Sequence, residues 1–135
     1  MGQTNAELVS QSYAAWNRGD WDGVFALFDP EIEVRPPEMW PEAGAVRGRE
    51  NVRNAFRAVL EAVDRPPVME LGEILEVDDQ VLAQVLRSTG RGRGSGIYLE
   101  VPFSQVFSIR DGRISRMDFY LDHADAREAV GLPSN

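Results

Sequence analysis

The sequence predicts an α+β domain, with helices covering one face of an antiparallel sheet. Three observations predict it. Ile97 to Asp122 reads as two long strands joined by Arg110-Asp111-Gly112-Arg113, and Asp-Gly between apolar runs is the strongest short-range hairpin signal. On the first strand Val101, Phe103, Phe107 and Ile109 recur at period two, answered by Met117, Phe119 and Leu121 on the second, so one face is apolar. The signals run α-α-β-α-β-β-β-β-α, which gathers the strands towards the C-terminal end.

The elements follow in order. Thr4-Asn5-Ala6-Glu7 is a capping box opening a helix that carries Leu8, Ser12, Ala15 and Trp16 along one side and ends at Gly19. Asp20 caps a shorter helix with Val24, Phe25, Leu27 and Phe28, which Pro30 stops. Glu31 to Arg35 alternates as a short strand. Pro36 to Gly48 is irregular, and its Trp40 needs a surface to lie on. A third helix runs from about Arg49 to Val63, and Pro66-Pro67 bars its continuation. Val68 to Val77 reads as a strand bulged at Gly72, and Val81 to Thr89 as a strand apolar on both faces. Gly90 to Gly96 is a hairpin tip: it lies between strands and lacks the G-x-G-x-x-G spacing of a phosphate loop. Asp122 caps a last short helix that closes at Gly131 with Pro133 beyond.

Composition bounds the function. A chain of 135 residues, 43% hydrophobic and 27% charged, is one folded domain spanning residues 1–135. No run reaches the ~18 apolar residues of a membrane helix, and no basic-then-apolar leader is present, so a cytoplasmic protein without a membrane partner is expected. A formal charge of −8 argues against nucleic acid as the partner. There is no cysteine and no lysine, which excludes thiolate chemistry and Schiff bases, and the one histidine, His123, excludes any site needing two. No acidic or histidine cluster has metal-ligand spacing, so no metal and no cofactor are expected.

The polar exceptions point to a site. Gln105 interrupts the Val101–Ile109 stripe, where an amide without partners would cost about 1–3 kcal/mol. It is read as a polar group facing an apolar cavity. Arg87 follows Val81, Ala83 and Val85 on another buried stripe; it either offers its guanidinium to a carboxylate or enolate in that cavity or pairs with Glu100 or Asp118 across the sheet. Trp16, Phe56, Met117 and Phe119 are core residues that would also wall such a cavity. Trp40 is a lid or an anchor in a dimer. Asp122 beside His123 reads as a helix cap next to an exposed imidazole rather than as an acid–base pair. A strand apolar on both faces needs cover on both, and a second copy of the chain would supply the side the helices leave open.

These residues carry a resemblance. Asn17-Arg18-Gly19-Asp20-Trp21-Asp22 with Phe25 to Pro30, Arg47-Gly48-Arg49-Glu50, and Phe107 to Ile114 resemble signatures of the nuclear transport factor 2-like superfamily. The tail from Tyr120-Leu121-Asp122 to Glu128-Ala129-Val130-Gly131-Leu132 is similar to its SnoaL-like branch. The resemblance implies a cone-shaped α+β barrel: a curved antiparallel sheet with N-terminal helices on its concave face, enclosing a pocket and forming a homodimer through the sheet. It also implies a small, hydrophobic organic ligand, polyketide- or terpene-like, bound or turned over by isomerase, cyclase or hydrolase chemistry. The family's catalytic positions fall elsewhere in character. The ketosteroid isomerase helix-one tyrosine falls at Ser12, one residue before Tyr13. Its base aspartate falls at Pro36, its oxyanion-hole aspartic acid at Gln105, and the last-strand aspartate of the cyclases and epoxide hydrolases at Phe119. Catalytic residues are therefore left unassigned. The expected ligand-lining set is Tyr13, Trp16, Trp40, Phe56, Arg87, Gln105, Met117 and Phe119.

Overall fold

The computed structural model describes residues 4–35, 44–61, 68–91 and 98–133. Among these residues four helices, α1 (Asn5–Asn17), α2 (Trp21–Phe25), α3 (Arg49–Glu61) and α4 (His123–Ala129), accompany six strands. The strands are β1 (Phe28–Arg35), β2 (Val46–Arg47), β3 (Val68–Val77), β4 (Gln80–Arg91), β5 (Tyr98–Arg110) and β6 (Arg113–Tyr120). They form one sheet in the order β2-β1-β6-β5-β4-β3. Among the described residues two strands remain edges, so the sheet is open and not a closed barrel. Pro36 and Trp40 lie outside the described residues, as do positions 92–97 of the glycine-arginine tip.

The local signals act as their chemistry requires. Thr4 accepts from the Glu7 backbone while Glu7 reaches back to the Thr4 backbone, completing the capping box. Asp111 and Gly112 both take positive φ, 53° and 75°, the two left-handed residues of a tight hairpin turn between β5 and β6. The β3–β4 register shifts between Leu71 and Ile74, bracketing Gly72. A Cβ at Gly72 would lie 2.6 Å from Gln84 Oε1 and 2.9 Å from Leu86 Cδ2, so the side chains of β4 occupy the space a larger residue would need.

Three expectations are corrected. Pro30 does not stop the second helix: α2 ends at Phe25, and Pro30 lies inside β1, between Phe28 and Glu33 where the β1–β6 register is broken. A proline is tolerated at such an irregularity because no ladder hydrogen bond is asked of it. The sheet is mixed, since β1 runs parallel to β6. The outer side of the doubly apolar strand is covered within the chain at Leu82. Val81, Ala83 and Val85 face the main core with α1, α2 and α3, whereas Leu82 and Val106 face the opposite side against Ala126 and Val130 of α4. A short C-terminal helix thus supplies part of the cover expected of a second copy.

Polar groups fasten α4 to that face. Glu73 on β3 pairs with Arg127 and lies 3.4 Å from His123 Nε2, and His123 Nδ1 is 2.7 Å from Ser104 Oγ on β5. Asp122 caps the helix through the Ala124 N–H, as expected, but His123 is engaged with the sheet and not an exposed imidazole. Ser104 is 1% exposed, so its hydroxyl anchors the imidazole and meets no solvent. Farther along the same face Arg35 and Arg47 both bind Glu33, each at 2.9 Å, and the Arg35 hydrogen bond in particular holds the Glu33 carboxyl below its ordinary range.

Candidate functional site

The strand alternation that makes β5 half apolar also aims one amide inward. Gln105 stands between Ala83 of β4 and Phe119 of β6 in the antiparallel register, with Phe107 and Met117 paired one step along. Above this row lies α1, whose 3.6-residue period turns Leu8, Val9, Ser12, Tyr13 and Ala15 inward. Tyr13 donates its hydroxyl to Gln105 Oε1, and Gln105 Nε2 points at Met117 Sδ, 3.0 Å away. The Tyr13 ring meets Phe107 edge-on with centroids 5.8 Å apart. Tyr13, Gln105 and Met117 are 3%, 4% and 4% exposed, so this polar pair sits in apolar surroundings.

That environment decides what the pair can do. Burial raises the Tyr13 pKa well above that of an ordinary phenol, which keeps the hydroxyl a neutral donor throughout the physiological range. An amide does not ionise. Together they can orient or stabilise an oxygen of a bound molecule, and neither can act as a base near neutral pH.

The remaining expected residues divide. Trp16 and Phe56 meet edge-on at 5.9 Å and join Trp21, Phe25 and Phe28 in a continuous aromatic cluster. Phe119 is half-buried and stacks tilted on Phe103 at 5.6 Å, on the same face as Gln105. Arg87 is not in the interior. The register of β4 against β5 slips between Val85 and Ser88, which ends the alternation one residue too early; Arg87 comes out half-exposed and pairs with Glu70 at 2.7 Å. Asp118 faces the outer side and chelates Arg116, at 2.9 and 3.2 Å. Trp40 lies outside the described residues.

On helix one the structure favours Tyr13 over Ser12 as the group beside Gln105. The two are neighbours on a helix and both are buried, so a one-residue slip in register decides between them. Sequence reasoning also missed a groove where the turn 19–22 meets α3, lined by Trp21, Phe25, Arg53, Arg57, Leu60 and Glu61 among others. Its signal was available: positions 53, 57 and 61 recur at four, the spacing of one helix face.

A family model described as a SnoaL-like domain matches residues 9–117. An uncharacterised protein of Mycobacterium tuberculosis is 29% identical over 119 residues, covering 87% of this chain and 89% of that protein. The crystal structure of a nuclear transport factor 2-like protein of Burkholderia thailandensis superposes with a TM-score of 0.78 at 28% identity, over 88% of this chain and 91% of that one. TerC co-crystallised with polyporic acid superposes with a TM-score of 0.75 at 21% identity, over 93% and 97% of the two chains.

Proposed function

Since the chain belongs to the SnoaL-like domain family, we propose that it binds a small, largely apolar organic molecule between α1 and the sheet. In this reading the Tyr13–Gln105 pair orients a carbonyl or hydroxyl of that molecule. The pair itself is the observation that carries the proposal: two hydrogen-bonding groups spent on each other inside an apolar interior, where a hydrophobic residue would pack at least as well. TerC, a neighbour in fold, was co-crystallised with polyporic acid, which supports a small organic molecule as the occupant.

Binding without turnover is the reading the geometry supports best. Arg87 and Asp118, the groups that could have moved a proton in the interior, are paired on other surfaces, and Tyr13 is held neutral. Isomerase, cyclase or hydrolase chemistry on a polyketide- or terpene-like compound is the second reading. Tyr13 favours it as a donor to a developing oxyanion and not as a base.

The test is a titration of the purified protein with polyporic acid and a panel of apolar carbonyl compounds, followed by native mass spectrometry. Gln105→Leu keeps the approximate volume and should weaken binding of any hit by about 1–3 kcal/mol while the protein stays folded. Equal affinity in the variant would remove Gln105 from the site.

The expected homodimer through the sheet belongs to the same proposal, as does a cytoplasmic location. A partner copy would lie on the part of the outer face beyond α4, near half-buried Tyr120 and exposed Leu121. Light scattering at micromolar concentration should report twice the 15.1 kDa chain mass, and a clean monomer would end that part of the reading.

A further inference from the structure

A groove of about 410 Å³ opens where the turn 19–22 meets α3, and it shares no lining residue with the Tyr13–Gln105 pair. The volume falls in the range of small-molecule sites, roughly 300–1,000 Å³. Its floor is apolar: Phe25 is buried, Leu60 is half-buried, and the half-buried Trp21 packs edge-on against Trp16 with centroids 5.0 Å apart.

Most of the charge around the groove is already spent. Arg53 pairs with Asp22 at 2.7 Å and lies 5.4 Å from the centre of the Phe25 ring. Asp20 caps the Gly23 N–H at 2.9 Å and pairs with Arg18 at 3.2 Å. Two opposite charges are left. Among the described residues Arg57 reaches only Asn54 Oδ1, at 3.4 Å, and Glu61 has no ion-pair partner.

These two stand four residues apart on one helix face, with Cβ atoms about 5–6 Å apart by helical geometry. Local effects reward neither. Arginine preceding glutamate is the weaker order for such a pair.

We infer that this groove is a second ligand site, for a small zwitterion of the amino-acid type with an aromatic or branched apolar body. The carboxylate is taken by Arg57, the ammonium by Glu61, and the apolar body lies on Trp21 and Phe25. A simple anion gains Arg57 but meets Glu61; a simple cation gains Glu61 but meets Arg57. A doubly charged anion is further opposed by Asp20, Asp22 and the chain charge of −8.

The experiment is a nuclear magnetic resonance titration of the full chain with phenylalanine, benzoate and benzylamine as separate probes. Phenylalanine should shift the Trp21 indole and the Arg57 and Glu61 amides, leaving Tyr13, Gln105 and Met117 in place. Benzoate and benzylamine should each bind about fivefold more weakly, the size of one exposed ion pair. Arg57→Gln and Glu61→Gln should weaken phenylalanine by a similar factor with unchanged melting temperatures. Binding of benzoate or benzylamine as tight as phenylalanine, variants that bind like the parent, shifts confined to the interior pair, or no shift at millimolar phenylalanine would each overturn the assignment.

Discussion

Val106→Asp should unfold the protein well below the parent's melting temperature, by the same margin at every protein concentration. Val106 is 2% exposed and packs with Leu82, Ala126 and Val130 beneath α4. A carboxylate placed there has neither water nor a partner, and an uncompensated buried charge costs about 3–5 kcal/mol. In a domain of this size that is a fall of roughly 10–20 °C. Leu82 lies directly across the ladder from Val106, so the apolar contact is lost on two strands at once. The chain could instead release α4, which would limit the loss; tryptic cleavage at Arg127 in the otherwise folded variant would reveal that outcome. A fall that deepens on dilution would instead mean that Val106 faces a second copy. An unchanged melting temperature would place it outside the contact altogether.

That residue also shows what the sequence disclosed and what it withheld. Alternation in β4 and β5 is a property of the pleat, so the apolar character of both faces was readable from Val81, Leu82, Ala83 and Val85. What covers each face is a tertiary choice. A seven-residue helix such as α4 carries too few apolar side chains to announce its partner, and its anchor, Glu73 to Arg127 and His123, joins a strand and a helix far apart in sequence. Parallel pairing of β1 with β6 was hidden for the same reason: nothing local distinguishes it from a hairpin partner.

Phase errors account for the rest. The hairpin turn was legible because Asp111-Gly112 can adopt two positive φ values that most residues resist. Gln105 was legible because it breaks a stripe whose turn fixes the register. Arg87 was misplaced because the strand carries an irregularity after Val85, and a slip of one residue moves every later side chain to the other face. Tyr13 was displaced by one from the position carried over by resemblance, and only its hydroxyl on Gln105 settles which residue of α1 stands above the amide.

The direct bond between those two residues makes the last prediction a cycle of three variants. Tyr13→Phe removes the hydroxyl and leaves Gln105 Oε1 buried without its donor, at a cost of about 1–3 kcal/mol. Gln105→Leu leaves the Tyr13 hydroxyl without its acceptor and should cost a similar amount, the Met117 sulfur being too weak an acceptor to compensate. Replacing both leaves an apolar pair of nearly the same shape, which can be close to neutral because no polar group remains stranded. The double variant should therefore be more stable than either single one, with a coupling of about 1–3 kcal/mol in urea unfolding. Strict additivity would show that the two groups do not meet. Single variants that each cost under about 0.5 kcal/mol would mean that water reaches the pair. If the proposed function holds, the repaired double variant should fold as well as the parent and yet bind its apolar carbonyl ligand more weakly, because the interaction restored in stability is the one removed from the site.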